Sequence, residues 1–297
     1  MPGTDVHTHL APRLEGHRAG PPALYEPAAL EAYLDRAGLD EAIVSVPPPF
    51  YRQDLEPTPA ADWATAINEG LAEAVAGRPR LRPLAYLPLE HPEVAVAEYE
   101  RVRTDDRFVG ATAAAGGASV LASDPRLEAL WKGLDLDGAV LLLHPGSSPD
   151  GRLDDFYLAN LLGNPAETAV AAAHLVLGGV LQRYPAMQVV LVHCGGTLPA
   201  VVGRWQRGVD TDRPGTDPLI EPPVAAVRRL YVDCLAHDPA VVDLAVSTFG
   251  ANRILLGSDW PFPMGTDNPG GLVQHRGDEF VRRVAMENPG RLFRKHV

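Results

Sequence analysis

The chain is 297 residues long, 46% hydrophobic and 22% charged, a mixture that supplies a large globular core and excludes a disordered or collagen-like chain. Its 26 Lys+Arg against 38 Asp+Glu leave a formal net charge of −12, which argues against a nucleic-acid-binding surface. Two cysteines, Cys194 and Cys234, cannot build a disulfide framework and point to a reducing compartment, read as the cytoplasm. No basic leader or membrane-length apolar run appears.

In chain order, β-type runs fall at 5–10, 42–46, 84–87, 108–112, 139–144, 188–193, 230–234 and 254–259. Between them, apolar residues recur at helical spacing over 27–37, 60–76, 92–102, 125–134, 166–183 and 239–248. Alternating strand and helix predicts an α/β fold with a parallel sheet. Eight such units fit a closed (β/α)₈ TIM barrel, and no GxGxxG follows the first run, as an open doubly wound sheet would lead one to expect. No linker or composition break interrupts residues 1–297, so one domain is expected. The stretches 145–164 and 211–223 are long enough to serve as pocket walls or lids.

His7 and His9 lie two apart on the first run, so their imidazoles share a face. His144 ends the fifth run, His193 the sixth and Asp259 the eighth. In a barrel these ends converge on the catalytic face. Three imidazoles and a carboxylate suit Zn²⁺ or a similar divalent ion, with a position left for water or substrate. His193 is followed by Cys194, Gly195 and Gly196. It fits either a further nitrogen ligand or an acid–base group beside the metal's water, and the second role is the preferred reading. Cys194 is read as a small buried residue turned away from His193 by strand alternation. The lysines are Lys132, in a helical segment, and Lys295, near the C-terminus. Neither sits at a strand end as a carbamylated bridge would require, so a mononuclear centre is expected.

With these residues in place, the sequence resembles the amidohydrolase superfamily, and within it the amidohydrolase-related decarboxylases typified by aminocarboxymuconate-semialdehyde decarboxylase. The matching segments are Asp5-Val6-His7-Thr8-His9, His144-Pro145, Asn164-Pro165-Ala166-Glu167-Thr168, His193-Cys194-Gly195-Gly196, Tyr231-Val232-Asp233 and Gly257 through Gly265 in GSDWPFPMG. The resemblance implies a divalent ion, Zn²⁺ with Mn²⁺ as the alternative, held by His7, His9, His144 and Asp259, and His193 beside the water it binds. It also implies two arginines for substrate carboxylates: Arg204, supplied across a homodimer interface, and Arg18, placed by the Tyr25-Glu26-Pro27 turn. A guanidinium can donate two parallel hydrogen bonds to a carboxylate. Phe262 matches a pocket aromatic. Where the muconate decarboxylase carries tryptophans, this chain has Gly146 and Asn160, and its loop between His9 and Arg18 is shorter, so a roomier or less aromatic pocket is expected.

The implied function is a metal-dependent, non-oxidative decarboxylase of an unsaturated or hydroxyaromatic carboxylic acid, with His193 and Asp259 relaying the proton that must reach carbon before carbon dioxide leaves. The alternative is a mononuclear metal-dependent hydrolase of a lactone, ester or amide; a catalytically idle metal-binding barrel is a third reading. The expected partners are a small-molecule carboxylic acid and a second copy of the chain, with no nucleic acid and no membrane. Among the other histidines, His174 reads as a satisfied core residue and His17, His91, His275 and His296 as solvated. Asp233 and His237 fit either support or substrate contact. Asp135, Asp137 and Asp150 read as exposed charge.

Overall fold

The computed structural model describes residues 3–293, so Lys295 and His296 lie outside the described residues. Parallel strands pair in chain order: β1 (Thr4–His9), β2 (Glu41–Ser45) and β3 (Leu81–Pro83) form one sheet segment. The other runs through β4 (Ala85–Tyr86), β5 (Ala111–Ala115), β6 (Val140–Pro145), β7 (Gln188–Leu191), β8 (Tyr231–Asp233) and β9 (Ile254–Leu255). β3 and β4 are two halves of one stave, interrupted where Pro83 has no N–H to donate to a ladder. Leu84 N donates to Val44 O at 2.8 Å and Ala85 N to Gly110 O at 3.0 Å, which carries the sheet across the break. At the other seam Val6 N donates to Leu256 O (2.9 Å), Asp259 N to His7 O (2.8 Å) and His9 N to Trp260 O (2.9 Å). These bonds join the extension of β9 to β1, and eight staves close into a TIM barrel.

Val6, Ile43, Leu84, Val140, Leu142, Val190, Val192 and Leu255 form one buried cluster contributed by nearly every stave. They fill the barrel as branched side chains do in this architecture. A second and larger cluster lies between barrel and helices and takes the opposite faces of the same strands, such as Leu141, Leu143, Val189 and Leu191. Helices Pro27–Ala37 and Pro92–Val102 have the bounds expected from sequence, each opening on a proline at its first turn, where a missing N–H costs nothing. The fourth stave differs: it runs over Ala111–Ala115 rather than 108–112. Helix Leu198–Asp210 and the C-terminal helical segments from Asp278 to Leu292 add to the elements expected.

Candidate metal centre

At the C-terminal mouth, strand geometry alone does not aim the functional side chains. In β6 the alternation Val140, Leu142, His144 keeps one face inward, so His144 follows two core residues into the site. In β1 the register shifts by one residue between Asp5 and Thr8. That irregularity lets Val6 join the barrel interior while His7 and His9 also point to the mouth. After β7 the alternation Val190, Val192 would turn His193 outward. Instead His193 and Cys194 take left-handed backbone at φ 54° and 55°, which swings the imidazole over the barrel and sends Cys194 into the outer core. Cys194 is thus a small buried residue, as expected, but the turn rather than strand alternation puts it there. Asp259 is also left-handed, at φ 60°. Such non-glycine conformations gather at functional sites.

His7, His144, His193 and Asp259 offer donor atoms all within 4.8 Å of one another. His9 is not one of these four but stands beside them, with its Nε2 3.1 Å from Asp259 Oδ1 and its ring 5.1 Å from that of His144. Partners on the far nitrogen fix each tautomer. His7 Nδ1 donates to Asp233 Oδ2 at 2.7 Å. His9 Nδ1 lies 3.0 Å from Ser45 Oγ, whose own proton goes to the Thr8 carbonyl, and His144 Nδ1 donates to the Pro145 carbonyl at 3.2 Å. Three Nε2 lone pairs are thereby left facing inward, and His7 Nε2 is buried without a hydrogen-bond partner among the described residues. An orphaned nitrogen among carboxylate and imidazole donors is what a divalent cation would satisfy, and the residues present fit one.

The electrostatics agree. Burial disfavours a charge on His7, but the carboxylates of Asp233, Asp259 and Asp5 outweigh it and raise its pKa. Burial lowers His9, and burial with neighbouring imidazoles pushes His144 well below the usual histidine range. Asp259 is disfavoured as an anion by burial, yet the bonds and charges of His193, His7 and His9 hold its pKa well below the usual carboxylate range. Carboxylates that favour a proton on His7 favour a divalent cation in its place.

Two supports come from the shell behind these groups. Asp233 is fully buried, and besides His7 it accepts from the Cys194 and Leu235 amides at 2.9 and 3.0 Å. It therefore ties β1, the His193 turn and β8 together. Asp5 accepts from the His7 and Ser258 amides and from the Tyr33 hydroxyl, and burial raises its pKa to about 6. Sequence reasoning weighed Asp233 but missed Asp5 and Ser45. A polar residue inside the apolar 42–46 run was a signal for Ser45; the shifted register hid Asp5, which does not share a face with His7.

His144, His193 and Asp259 open into a cavity of about 590 Å³, also lined by Phe262, Gly146 and Asn160. The Phe262 ring meets His9 edge-on at 5.4 Å. Arg18 and Arg204 do not line this cavity. Arg18 is exposed, with its guanidinium over the Tyr25 ring at 5.3 Å, and Arg204 is exposed on helix Leu198–Asp210. Some readings of the remaining histidines change. His17 is half-buried between the rings of Phe50 and Trp63 rather than solvated, because its loop folds onto that aromatic pair. His91 Nε2 is 2.7 Å from the Leu55 carbonyl. His174 is half-buried and held by Ser123 Oγ at 2.8 Å rather than sunk in the core. His237 lines the cavity rim at φ 57°.

A family model described as Amidohydrolase matches residues 4–295. The 2-amino-3-carboxymuconate-6-semialdehyde decarboxylase of Dictyostelium discoideum is 29% identical over 245 residues, 81% of this chain and 68% of that protein. The 6-methylsalicylic acid decarboxylase of Penicillium expansum is 31% identical over 280 residues, 88% of this chain and 85% of that protein. The crystal structure of 5-carboxyvanillate decarboxylase from Sphingomonas paucimobilis superposes with a TM-score of 0.86 at 20% identity, covering 98% of both chains. With its barrel, its histidine–aspartate cluster and a match over nearly its whole length, the chain belongs to the amidohydrolase family.

Proposed function

We propose that this chain is a metal-dependent, non-oxidative decarboxylase of a hydroxylated aromatic carboxylic acid. One observation carries the reading: inward-facing imidazole nitrogens and one carboxylate meet at the floor of a cavity large enough for an aromatic acid, in a chain whose relatives are decarboxylases. His7, His9, His144 and Asp259 would hold the ion. Three nitrogens and an oxygen favour Zn²⁺, with Mn²⁺ as the alternative. When bound, the ion supplies a Lewis-acidic centre that polarises an oxygen of the substrate or of water.

The protein's own groups handle the proton. Asp259 turns Oδ1 toward His9 and His7, at 3.1 and 3.4 Å, and Oδ2 toward His193 Nε2 at 3.9 Å. One oxygen is thus committed to the cluster while the other can exchange a proton with His193, whose side chain is 19% exposed to the cavity. The proton passes from His193 to Asp259 and on to the ring carbon that bears the carboxylate, forming a C–H bond. The C–C bond to the carboxylate then breaks, its electron pair restores the aromatic ring, and carbon dioxide leaves. Phe262 supplies an apolar face for the ring. Arg204 would grip the carboxylate from the second subunit of a homodimer, and Arg18 would join it by leaving the Tyr25 ring. The working form proposed is a cytoplasmic homodimer of single-domain subunits that takes a small carboxylic acid, without nucleic acid.

The test is carbon dioxide release from 2,6-dihydroxybenzoate and 6-methylsalicylate by protein loaded with Zn²⁺ or with Mn²⁺, with metal content measured on the same samples. Release that depends on the ion is expected. A fully loaded protein that releases carbon dioxide from neither acid overturns the reading.

A further inference from the structure

The cavity above the metal centre is divided by chemistry. Its ionisable lining groups are His144, His193 and Asp259 at the inner end, with His237 and Tyr157 further out, and no arginine or lysine among the described residues lines it. Much of the wall built by the loops after β6, β8 and β9 is apolar: Leu161, Leu235, Ala236, Val241, Pro263 and Met264. Leu235 is buried, whereas Leu161 and Val241 are 51% and 36% exposed. Apolar side chains left facing water at the mouth of a site mark a binding surface. The volume points the same way. Clefts of roughly 300–1,000 Å³ hold drug-sized ligands, and a single hydroxylated ring fills only part of about 590 Å³. A second carboxylate directed at this wall would lose its hydration with no arginine or lysine among the wall residues to receive it, whereas an alkyl chain gains by leaving water.

We propose that the preferred substrate is a single-ring hydroxybenzoate bearing, next to its carboxylate, an unbranched alkyl substituent longer than methyl. Its ring lies at the metal end and its chain runs along Leu161, Leu235, Val241 and Met264. This inference rests on the decarboxylase reading above. The reaction is unchanged: one ring C–C bond is replaced by C–H, and the alkyl chain takes no part.

Two measurements test it on the metal-loaded protein. In the first, carbon dioxide release is followed with 6-methyl-, 6-propyl- and 6-pentylsalicylate; KM falls about threefold to fourfold for each added methylene, so that kcat/KM for the pentyl acid exceeds that for the methyl acid by more than tenfold. A value that is flat or falling along the series overturns the inference while leaving the decarboxylase reading intact. In the second, binding of the corresponding products, 3-methyl-, 3-propyl- and 3-pentylphenol, is measured by calorimetry, which needs no turnover. Affinity that rises with chain length without any carbon dioxide release would sink the decarboxylase reading and keep the alkyl site; affinity independent of chain length removes the site. Val241→Asp, on an exposed first helical turn, places a charge on the wall and is expected to reduce the pentyl-to-methyl affinity ratio at least fivefold. An unchanged ratio would show that the chain lies elsewhere.

Discussion

A buried carboxylate at Asp233 does two jobs at once: it fixes the tautomer of His7 and caps the turn that carries His193. Asp233→Asn keeps the volume but presents an amide that no longer holds the Nδ1 proton of His7 as an anion does. Loss of such a partner weakens metal affinity by about 10–100-fold, and competition with a chelator should read that loss directly. His193 separates two roles that the geometry brings close together. It belongs to the group of donors within 4.8 Å, yet its side chain faces the cavity and its buried Nδ1 has no hydrogen-bond partner among the described residues. As a proton relay, His193→Ala retains the ion at wild-type stoichiometry and loses about 10²–10⁴-fold in kcat. Metal analysis on the same sample decides the matter, because lost stoichiometry would make His193 a ligand instead.

Between residues and barrel stand the strand ends, where much of the site was legible and some of it was not. His144 follows Val140 and Leu142 by simple alternation, so its direction could be read from period alone. His193 could be named from sequence but not aimed, since its orientation depends on left-handed backbone at His193 and Cys194 that alternation does not foresee. Asp5 escaped for a related reason, the extra residue in β1. Helix Pro27–Ala37 was readable because a proline opens it and a left-handed Gly38 ends it. The C-terminal helical run was not, because a π-helical stretch over Arg283–Glu287 breaks the 3.6-residue period and Pro289 mimics a stop. Helix Leu198–Asp210 had a readable stripe in Leu198, Val201, Val202, Trp205 and Val209, but it starts close behind the glycine pair that reads as a loop. The same strand ends need close approach. A Cβ on Gly257 would meet Asp233 Cβ at 2.8 Å and His7 Cβ at 3.0 Å. Neither neighbour can yield without disturbing the hydrogen bond between Asp233 and His7, so Gly257→Ala is expected to cost about 1–3 kcal/mol in urea unfolding of the metal-free protein and to lower metal affinity as well. Unfolding and affinity both at wild-type values would show that β9 can shift without disturbing β1.

At the scale of the molecule, the arginine question depends on assembly. Among the described residues no arginine or lysine lines the cavity of one chain, while Arg204 stands exposed on helix Leu198–Asp210 with no carboxylate paired to it. The segment that follows this helix exposes Leu219 at 83% and Val224 at 42%. An exposed arginine on a helix followed by uncovered apolar side chains suits an isologous contact, in which one twofold axis completes both sites together. Arg204→Ala and His193→Ala homodimers should then each be nearly inactive, while their co-expression yields heterodimers. In such a heterodimer one site joins an intact His193 to the intact Arg204 of the other subunit, and the second site lacks both. Random assembly makes half of the dimers mixed, each with one competent site, so activity should recover to about a quarter of wild type. Light scattering at the dimer mass and kinetics of the co-expressed sample together provide the measurement. Activity no greater than the sum of the parents would place Arg204 outside the partner's site, and a monomeric mass would remove the interface.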